Sequence, residues 1–271
     1  NGHYNTFMGY KSGYNSIIGD NNVFLGYKAG YMNWSSSNNV FIGYMSGSEN
    51  LDGYDNVFLG SESGMSNTYG DNNVFIGKSA GKLNKTGGSN VIMGMSAGFT
   101  NNEGSSNVMF GNMAGYYSYS GNNNVFLGYK AGFQNYSGSN NIYLGYEVAG
   151  KYTGVGDATG SNNVFLGNQA GGNIYNGNSN VFVGNQAGLG IYGYYGTYDP
   201  VYPKGCFNVF MGMEAGKSNA YGFYNVFLGH QAGYSNLGAD NYSLDGSGNV
   251  YIGYQTAYNT EKGQQNTFLG Y

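Results

Sequence analysis

Charge, proline, cysteine and histidine are all scarce in this chain. Charged residues make up 9% of its 271 positions, and 10 basic against 14 acidic residues leave a net charge of −4. Such a chain has no basic field to attract nucleic acid or an anionic membrane. One cysteine, Cys206, excludes an internal disulfide framework. The two histidines, His3 and His230, have no Cys or carboxylate at ligand spacing, so no metal site is expected. No apolar run approaches the length of a membrane span. The opening Asn-Gly-His-Tyr-Asn-Thr is not a secretion leader and starts in mid-pattern. A processed product, or a segment of a longer chain or fibre, is the expectation.

Glycine is abundant, at 51 residues, and aromatics reach 17%. Both are placed with strict spacing, which separates the chain from simple low-complexity disorder. A phrase of the form N-V-F-L-G opens at Asn5, Asn22, Asn39, Asn56, Asn73, Asn90, Asn107, Asn124, Asn141, Asn163, Asn180, Asn208, Asn225, Asn249 and Asn266. The step is 17 residues eight times in succession, then 22, 17, 28, 17, 24 and 17. Self-similarity at that period marks a solenoid, in which one small unit stacks on its own copies.

Numbering the opening Asn as position zero, Val, Phe and Leu or Ile follow, as in Val23, Phe24 and Leu25. Gly stands at four, Ala or Ser at seven and Gly at eight (Gly26, Ala29, Gly30). A second Asn recurs at eleven (Asn33, Asn50, Asn67, Asn84) and a third Gly at fourteen (Gly53, Gly70, Gly87, Gly104). Three apolar residues of β-branched and aromatic type, bounded by Asn and Gly, predict a short strand. Glycines at fixed offsets supply turns with positive φ. So much glycine leaves no helical apolar period. The predicted fold is all-β: a parallel β-roll or β-solenoid of about fifteen coils, roughly 70 Å long at about 4.8 Å per coil. Residues 1–271 read as one repeat domain.

Stacking would align the opening residues Asn22, Asn39, Asn56, Asn73, Asn90, Asn107 and Asn124 into an amide ladder. The alternative is that each Asn merely tolerates a left-handed turn. Side chains alternate along a strand, so Val and Leu are expected to fill a narrow interior together with Ala or Ser. Phe would then line the outside: Phe24, Phe41, Phe58, Phe75, Phe126, Phe165, Phe182, Phe210 and Phe227, with Phe7 and Phe268 at the ends. Such a stripe needs a cover, and identical stripes around a symmetry axis supply one, which predicts a homotrimer sealed along Phe. A monomeric solenoid wide enough to bury both faces remains the alternative.

The phrase N-V-F-[LI]-G-x-x-[AS]-G resembles the head repeats of YadA-type trimeric autotransporter adhesins, which centre on Asn-Ser-Val-Ala-Ile-Gly. Asn39, Val40, Ile42, Gly43 and Ser46 are matching residues. The resemblance implies a left-handed parallel β-roll with three chains to a head. This unit is longer than that family's usual repeat, and Phe replaces its small middle residue. Phage tail-fibre shafts and large surface proteins carry similar repeats.

Chemistry is hard to place on these residues. Carboxylates such as Glu49, Asp52, Asp55, Glu62 and Asp71 do not form the acidic cluster a calcium site needs. Phrases such as Gly-Met-Ser-Ala-Gly lack the Lys-Ser/Thr and helix of a phosphate loop. No cofactor is expected, and an enzyme is not. An ice-binding array would require a regular outward hydroxyl row that scarce Thr does not provide. The departures from 17 mark inserted loops near 151–162, 189–207 and 239–248. In a solenoid these leave the stack on one face, often the binding face. The longest holds Tyr192, Tyr194, Tyr195, Tyr198 and Tyr202, a composition suited to recognition and to sugar rings. Of four Asn-x-Ser/Thr sequons, at Asn33, Asn84, Asn135 and Asn241, only Asn241 lies off the ladder and can accept a glycan. The resulting expectation is an extracellular or cell-surface structural fibre or adhesin head, partnered by itself and by surface glycans or a host receptor. A phage tail-fibre segment and a self-assembling extracellular filament are the alternatives.

Overall fold

In the computed structural model, residues 2–150, 159–174, 176–190, 205–238 and 245–271 are described, and each apolar triplet among them is a three-residue strand. The chain divides into two units, Asn1–Lys130 and Ala131–Tyr271. In the first unit eight strands run from β1 (Thr6–Met8) to β8 (Val125–Leu127), each paired parallel and in register with the next. In the second, seven strands among the described residues run from β9 (Ile142–Leu144) to β15 (Thr267–Leu269) with the same pairing. The described residues contain no helix. Each unit is a parallel β-solenoid.

A strand of three residues is too short to hold a coil in place, so the rest of the coil bonds as well. Gly26 N–H donates to Met8 O at 2.8 Å and Lys28 N–H to Tyr10 O at 2.9 Å. On other sides of the coil, Gly30 N–H reaches Ser46 O at 3.0 Å and Asn38 N–H reaches Asp20 O at 2.9 Å. Backbone groups that would be orphaned in a buried turn are therefore paired with the neighbouring coil.

The Asn-Asn doublet that begins many coils divides two tasks. The first member takes the left-handed conformation, at φ 57° in Asn21, 61° in Asn38 and 58° in Asn72. The second, position zero, has no positive φ and is fully buried. Its Oδ1 accepts the backbone N–H of the next opening Asn, as Asn39 does from Asn56 at 2.9 Å, and its Nδ2 donates to the position-fourteen carbonyl, as Asn39 does to Gly53 at 2.9 Å. The opening ladder therefore runs mainly from side chain to backbone. At position eleven it is a true amide ladder: Asn67 Nδ2 to Asn50 Oδ1 at 2.7 Å and Asn84 Nδ2 to Asn67 Oδ1 at 2.6 Å. Left-handed tolerance thus belongs to the residue before each opening Asn.

The core corrects the expected inside and outside. Phe24, Phe41, Phe58, Phe75, Phe126, Phe165, Phe182, Phe210 and Phe227 are fully buried within the single chain, together with Ala29, Ala80 and Ala97 at position seven. Val at position one and Leu or Ile at position three are the outward pair, half-buried or exposed. Phe is therefore not the oligomer interface. The physical reason is glycine at position eight. A Cβ on Gly64 would sit 2.5 Å from the Phe58 ring, and the same distance separates one on Gly30 from Phe24. Without that Cβ the coil has room for an aromatic ring, which the narrow-interior reading did not allow. The rings stack along the coil axis, with Phe41–Phe58 and Phe58–Phe75 centroids both 4.8 Å apart and planes within 9° and 5°. Burying each ring stabilises by about 1.5–3 kcal/mol.

Position fourteen needs glycine for a different reason. Gly53, Gly70, Gly87 and Gly104 have no positive φ. A Cβ on Gly70 would lie 2.4 Å from both Asn67 Oδ1 and the carbonyl of Gly87, so here glycine permits close approach to the Asn ladder. In the 17-residue coils positions four and eight use glycine for its left-handed range, for example φ 137° at Gly60 and 55° at Gly64, whereas at the loop returns Gly205 and Gly246 also take positive φ, 65° and 71°.

Candidate functional surface

The outward face of each sheet is uncharged. Positions one and three carry only Val, Ile or Thr and Leu, Ile, Met, Val or Phe, from Thr6 and Met8 to Thr267 and Leu269. Exposure at position three is 38% at Ile42, 39% at Phe110 and 45% at Met211, and it is higher still at Met8 and Leu269 in the end strands. Alternation forces this arrangement: once Phe turns inward, its two neighbours must turn outward. The apolar stripe expected of Phe thus exists, made of other residues.

Beyond the strand the coil turns through positions five to nine, where a second pattern runs through the first coils of the first unit and returns in the second unit at Tyr234–Tyr258 and Tyr254–Tyr271. Tyr10, Tyr27 and Tyr44, all at position five, stack with centroids 5.4 and 5.2 Å apart. Tyr14 and Tyr31, at position nine, stack at 5.6 Å. Lys11 Nζ lies 5.5 Å from the Tyr10 centroid and 5.2 Å from that of Tyr14, and Lys28 repeats this over Tyr27 and Tyr31 at 5.5 and 5.4 Å. The sequence writes this pattern as Tyr-Lys-x-Gly-Tyr, a cue that the reading of single positions passed over. Because the rings stack on one another, they present edges and hydroxyls, not open faces, to solvent.

Position six carries a polar row in the second unit. Gln169 Nε2 donates to Glu147 at 3.0 Å, Gln186 to Gln169 at 3.1 Å, Gln231 to Glu214 at 2.7 Å and Gln255 to Gln231 at 2.7 Å. Lys217 beside Glu214, at 2.6 Å, holds that carboxyl below the usual range, with help from Gln231. In the first unit the Lys82 ammonium, 2.9 Å from Glu62, does the same.

What the three insertions share is the return. The described residues run to Gly150 at position nine, Gly190 at position ten and Gly238 at position thirteen, and the chain is back in place at Gly160, Gly205 and Gly246 at position fourteen. The return is made on the same hydrogen bond each time: Asn141 Nδ2 to Gly160 O at 2.8 Å, Asn180 to Gly205 at 2.8 Å and Asn225 to Gly246 at 2.7 Å. Strand register is kept across the long steps, with Val164 opposite Ile142, Val181 opposite Val209 and Val226 opposite Val250. Tyr192, Tyr194, Tyr195, Tyr198 and Tyr202, and the sequon residue Asn241, lie outside the described residues.

The other sequon asparagines are committed to the fold. Asn33, Asn84 and Asn135 are buried, and each Nδ2 donates to the carbonyl three residues on, at 3.1, 2.9 and 2.7 Å. Cys206 is buried and accepts the backbone N–H of Asn178 at 3.1 Å, and burial pushes its thiol pKa up. It stands at position fifteen, where Ser37 and Ser105 use a hydroxyl to accept the equivalent N–H. His230 stacks on Tyr254 at 5.1 Å. Among the described residues no three His, Cys, Asp or Glu side chains gather where they could hold a metal ion, and no helix is long and apolar enough to cross a membrane. No family model matches the chain, and no curated protein or solved structure does either.

Proposed function

We propose that this chain is a segment of an extracellular structural fibre or adhesin head, in which stacked coils serve as a scaffold and the insertions as contact surface for glycans or a host receptor. The observation that carries the reading is the shared return of the insertions. The segment between positions eight and fourteen varies in length, while the ladders on either side hold the register to the residue. A scaffold that tolerates loop variation at one place while keeping the rest fixed is how folds present binding loops.

The scaffold associates with its own copies, as a homotrimer in the YadA-like arrangement, through the outward Val and Leu rows and not through Phe. Uncharged and repeating at the strand spacing, this face exposes an apolar stripe of the kind that marks an interaction surface. Two measurements test the proposal. Leu59→Lys with Ile76→Lys should reduce the sedimentation mass to that of one chain while the β circular dichroism stays. A single-chain mass before substitution would overturn self-association. Binding on a glycan array or to host cells should fall when the second insertion is shortened by eleven residues to restore the 17-residue step. Binding unaffected by the shortening would overturn the role given to that loop.

A further inference from the structure

The tyrosine rows of the first unit have a chemistry that a scaffold does not require. Tyr10, Tyr27 and Tyr44 are 62%, 40% and 49% exposed, and Tyr14 is 62% exposed beside Tyr31. Their rings lie nearly parallel, within 16°, 8° and 7° for the three stacked pairs, on neighbouring coils. Each row therefore holds phenols at one fixed spacing, accessible to an oxidant from solvent. Tyr54 and Tyr69 are exposed as well, at 38% and 55%, yet stack on no other ring among the described residues.

We propose that these rows are sites of oxidative tyrosine–tyrosine coupling, forming carbon–carbon bridges between adjacent coils: Tyr10 to Tyr27 or Tyr27 to Tyr44, and Tyr14 to Tyr31. A heme peroxidase with hydrogen peroxide is the oxidant. Each phenol of a pair gives up one electron and its phenolic proton to become a phenoxyl radical. The two radicals join through the ring carbons next to the C–O carbon, and the two hydrogens displaced from those carbons move to the phenolic oxygens. In sum, two ring C–H bonds become one C–C bond. The two electrons and two protons released reduce one hydrogen peroxide to two waters.

Radical pairs couple efficiently only when held close, and rings fixed on neighbouring coils replace a diffusional encounter with a local one. Exposed side chains turn on the picosecond to nanosecond scale, which lets the facing edges meet without moving the backbone. The bridge closes a loop of one coil, in a stretch whose single cysteine, Cys206, is buried. Coils joined in this way are stapled as a disulfide would staple them.

The proposal does not depend on the fibre or adhesin reading. The test is peroxidase oxidation of the dilute full chain, followed by intact mass and mapping of cross-linked peptides. Single-chain product that has lost two hydrogens per bridge is expected, with bridged peptides from the two rows and from the matching second-unit stacks Tyr234–Tyr258 and Tyr254–Tyr271. Tyr27→Phe keeps the ring stack but should abolish both bridges of its row, while the Tyr14–Tyr31 bridge persists as the internal control. In denaturant the selectivity for the rows should disappear. Bridges that engage Tyr54 and Tyr69 as often as the rows, or that occur only between chains, would overturn the proposal.

Discussion

The two units are built on the same coil and differ in what they do with it. In Asn1–Lys130 every step is 17 residues, whereas Ala131–Tyr271 departs from that period three times. Both keep the opening Asn, the inward aromatic or aliphatic residue and the position-fourteen carbonyl in one bonded set. The difference separates the coil into a fixed arc, from fourteen through zero to eight, and a free arc from nine to thirteen. Side chains inside the fixed arc are committed to neighbours on both sides. Those in the free arc, the position-eleven Asn ladder excepted, face less constraint, and length is tolerated there.

The inward residue also differs between the units. In the first the Phe row is interrupted by Ile92 and Met109, both buried. In the second, two coils substitute Tyr, at Tyr143 and Tyr251, and each changes two further residues in concert. Val148 and Ala149 follow Tyr143, and Thr256 and Ala257 follow Tyr251, where every Phe coil has Ala or Ser and then Gly. Ala149 and Ala257 accept φ of 45° and 55° to do so. A Cβ at this position collides with a Phe ring, and the two coils that carry one have Tyr instead, stacked in the same row at 5.0 Å on Phe165 and 4.8 Å on Phe227.

The largest effect is expected from the shared core. Phe58→Ser with Phe75→Ser leaves two adjoining cavities and two buried hydroxyls, at about 3–5 kcal/mol for each lost ring. The first unit should then lose its β circular dichroism and cooperative melting, and Phe182→Ser with Phe210→Ser should do the same to the second. If Phe were an intermolecular seal, the variants would remain folded and only their mass in solution would fall. Folded single chains after these substitutions would refute the inward placement.

Gly64→Ala should cost less, and in a way that distinguishes the two coil types. A left-handed alanine costs about 1–2 kcal/mol, and crowding of the Phe58 ring adds about 1–3 kcal/mol. Rebuilding the coil as its Tyr counterpart, with Phe58→Tyr, Ser63→Val and Gly64→Ala together, should recover most of the loss. A thermal-melting cycle over these variants checks the coupling. Additive costs would mean that Tyr, Val and Ala are unrelated choices.

Much of this was legible beforehand because the repeat itself reports it. A 17-residue step that recurs eight times fixes the strand triplets and their parallel register, since stacked copies admit little else. The direction of Phe was not legible, because alternation determines only that Phe and its neighbours face opposite ways. The deciding fact was the size of the interior, and that is set by the missing Cβ at Gly30 and Gly64 acting across the coil. The tyrosine–lysine rows were equally hidden. Residues 17 apart touch only after stacking, and Tyr10 and Tyr27 have nothing to mark them singly among 30 tyrosines.

The smallest effect should come from making the units alike in length. Lengthening the free arc of a first-unit coil, by five Gly and Ser residues between Thr86 and Gly87, copies the place where the third natural insertion leaves, after Gly238 at position thirteen. There the second unit keeps both ladder bonds of Asn236, to Asn219 Oδ1 and to Gly246 O, each at 2.7 Å. Asn84 should likewise keep its bonds to Asn67 Oδ1 and Gly87 O. Doubling a flexible loop adds about 0.6 kcal/mol of closure entropy, so the melting temperature should fall by only a few degrees. The same five residues placed between Glu62 and Ser63 enter the fixed arc, where Glu62 N–H bonds Tyr44 O at 2.7 Å and Gly64 N–H bonds Ala80 O at 2.9 Å. That insertion should unfold the coil and its neighbours. Equal losses from the two insertions would mean that the arcs do not differ, and that the even spacing of the first unit is required for its stability.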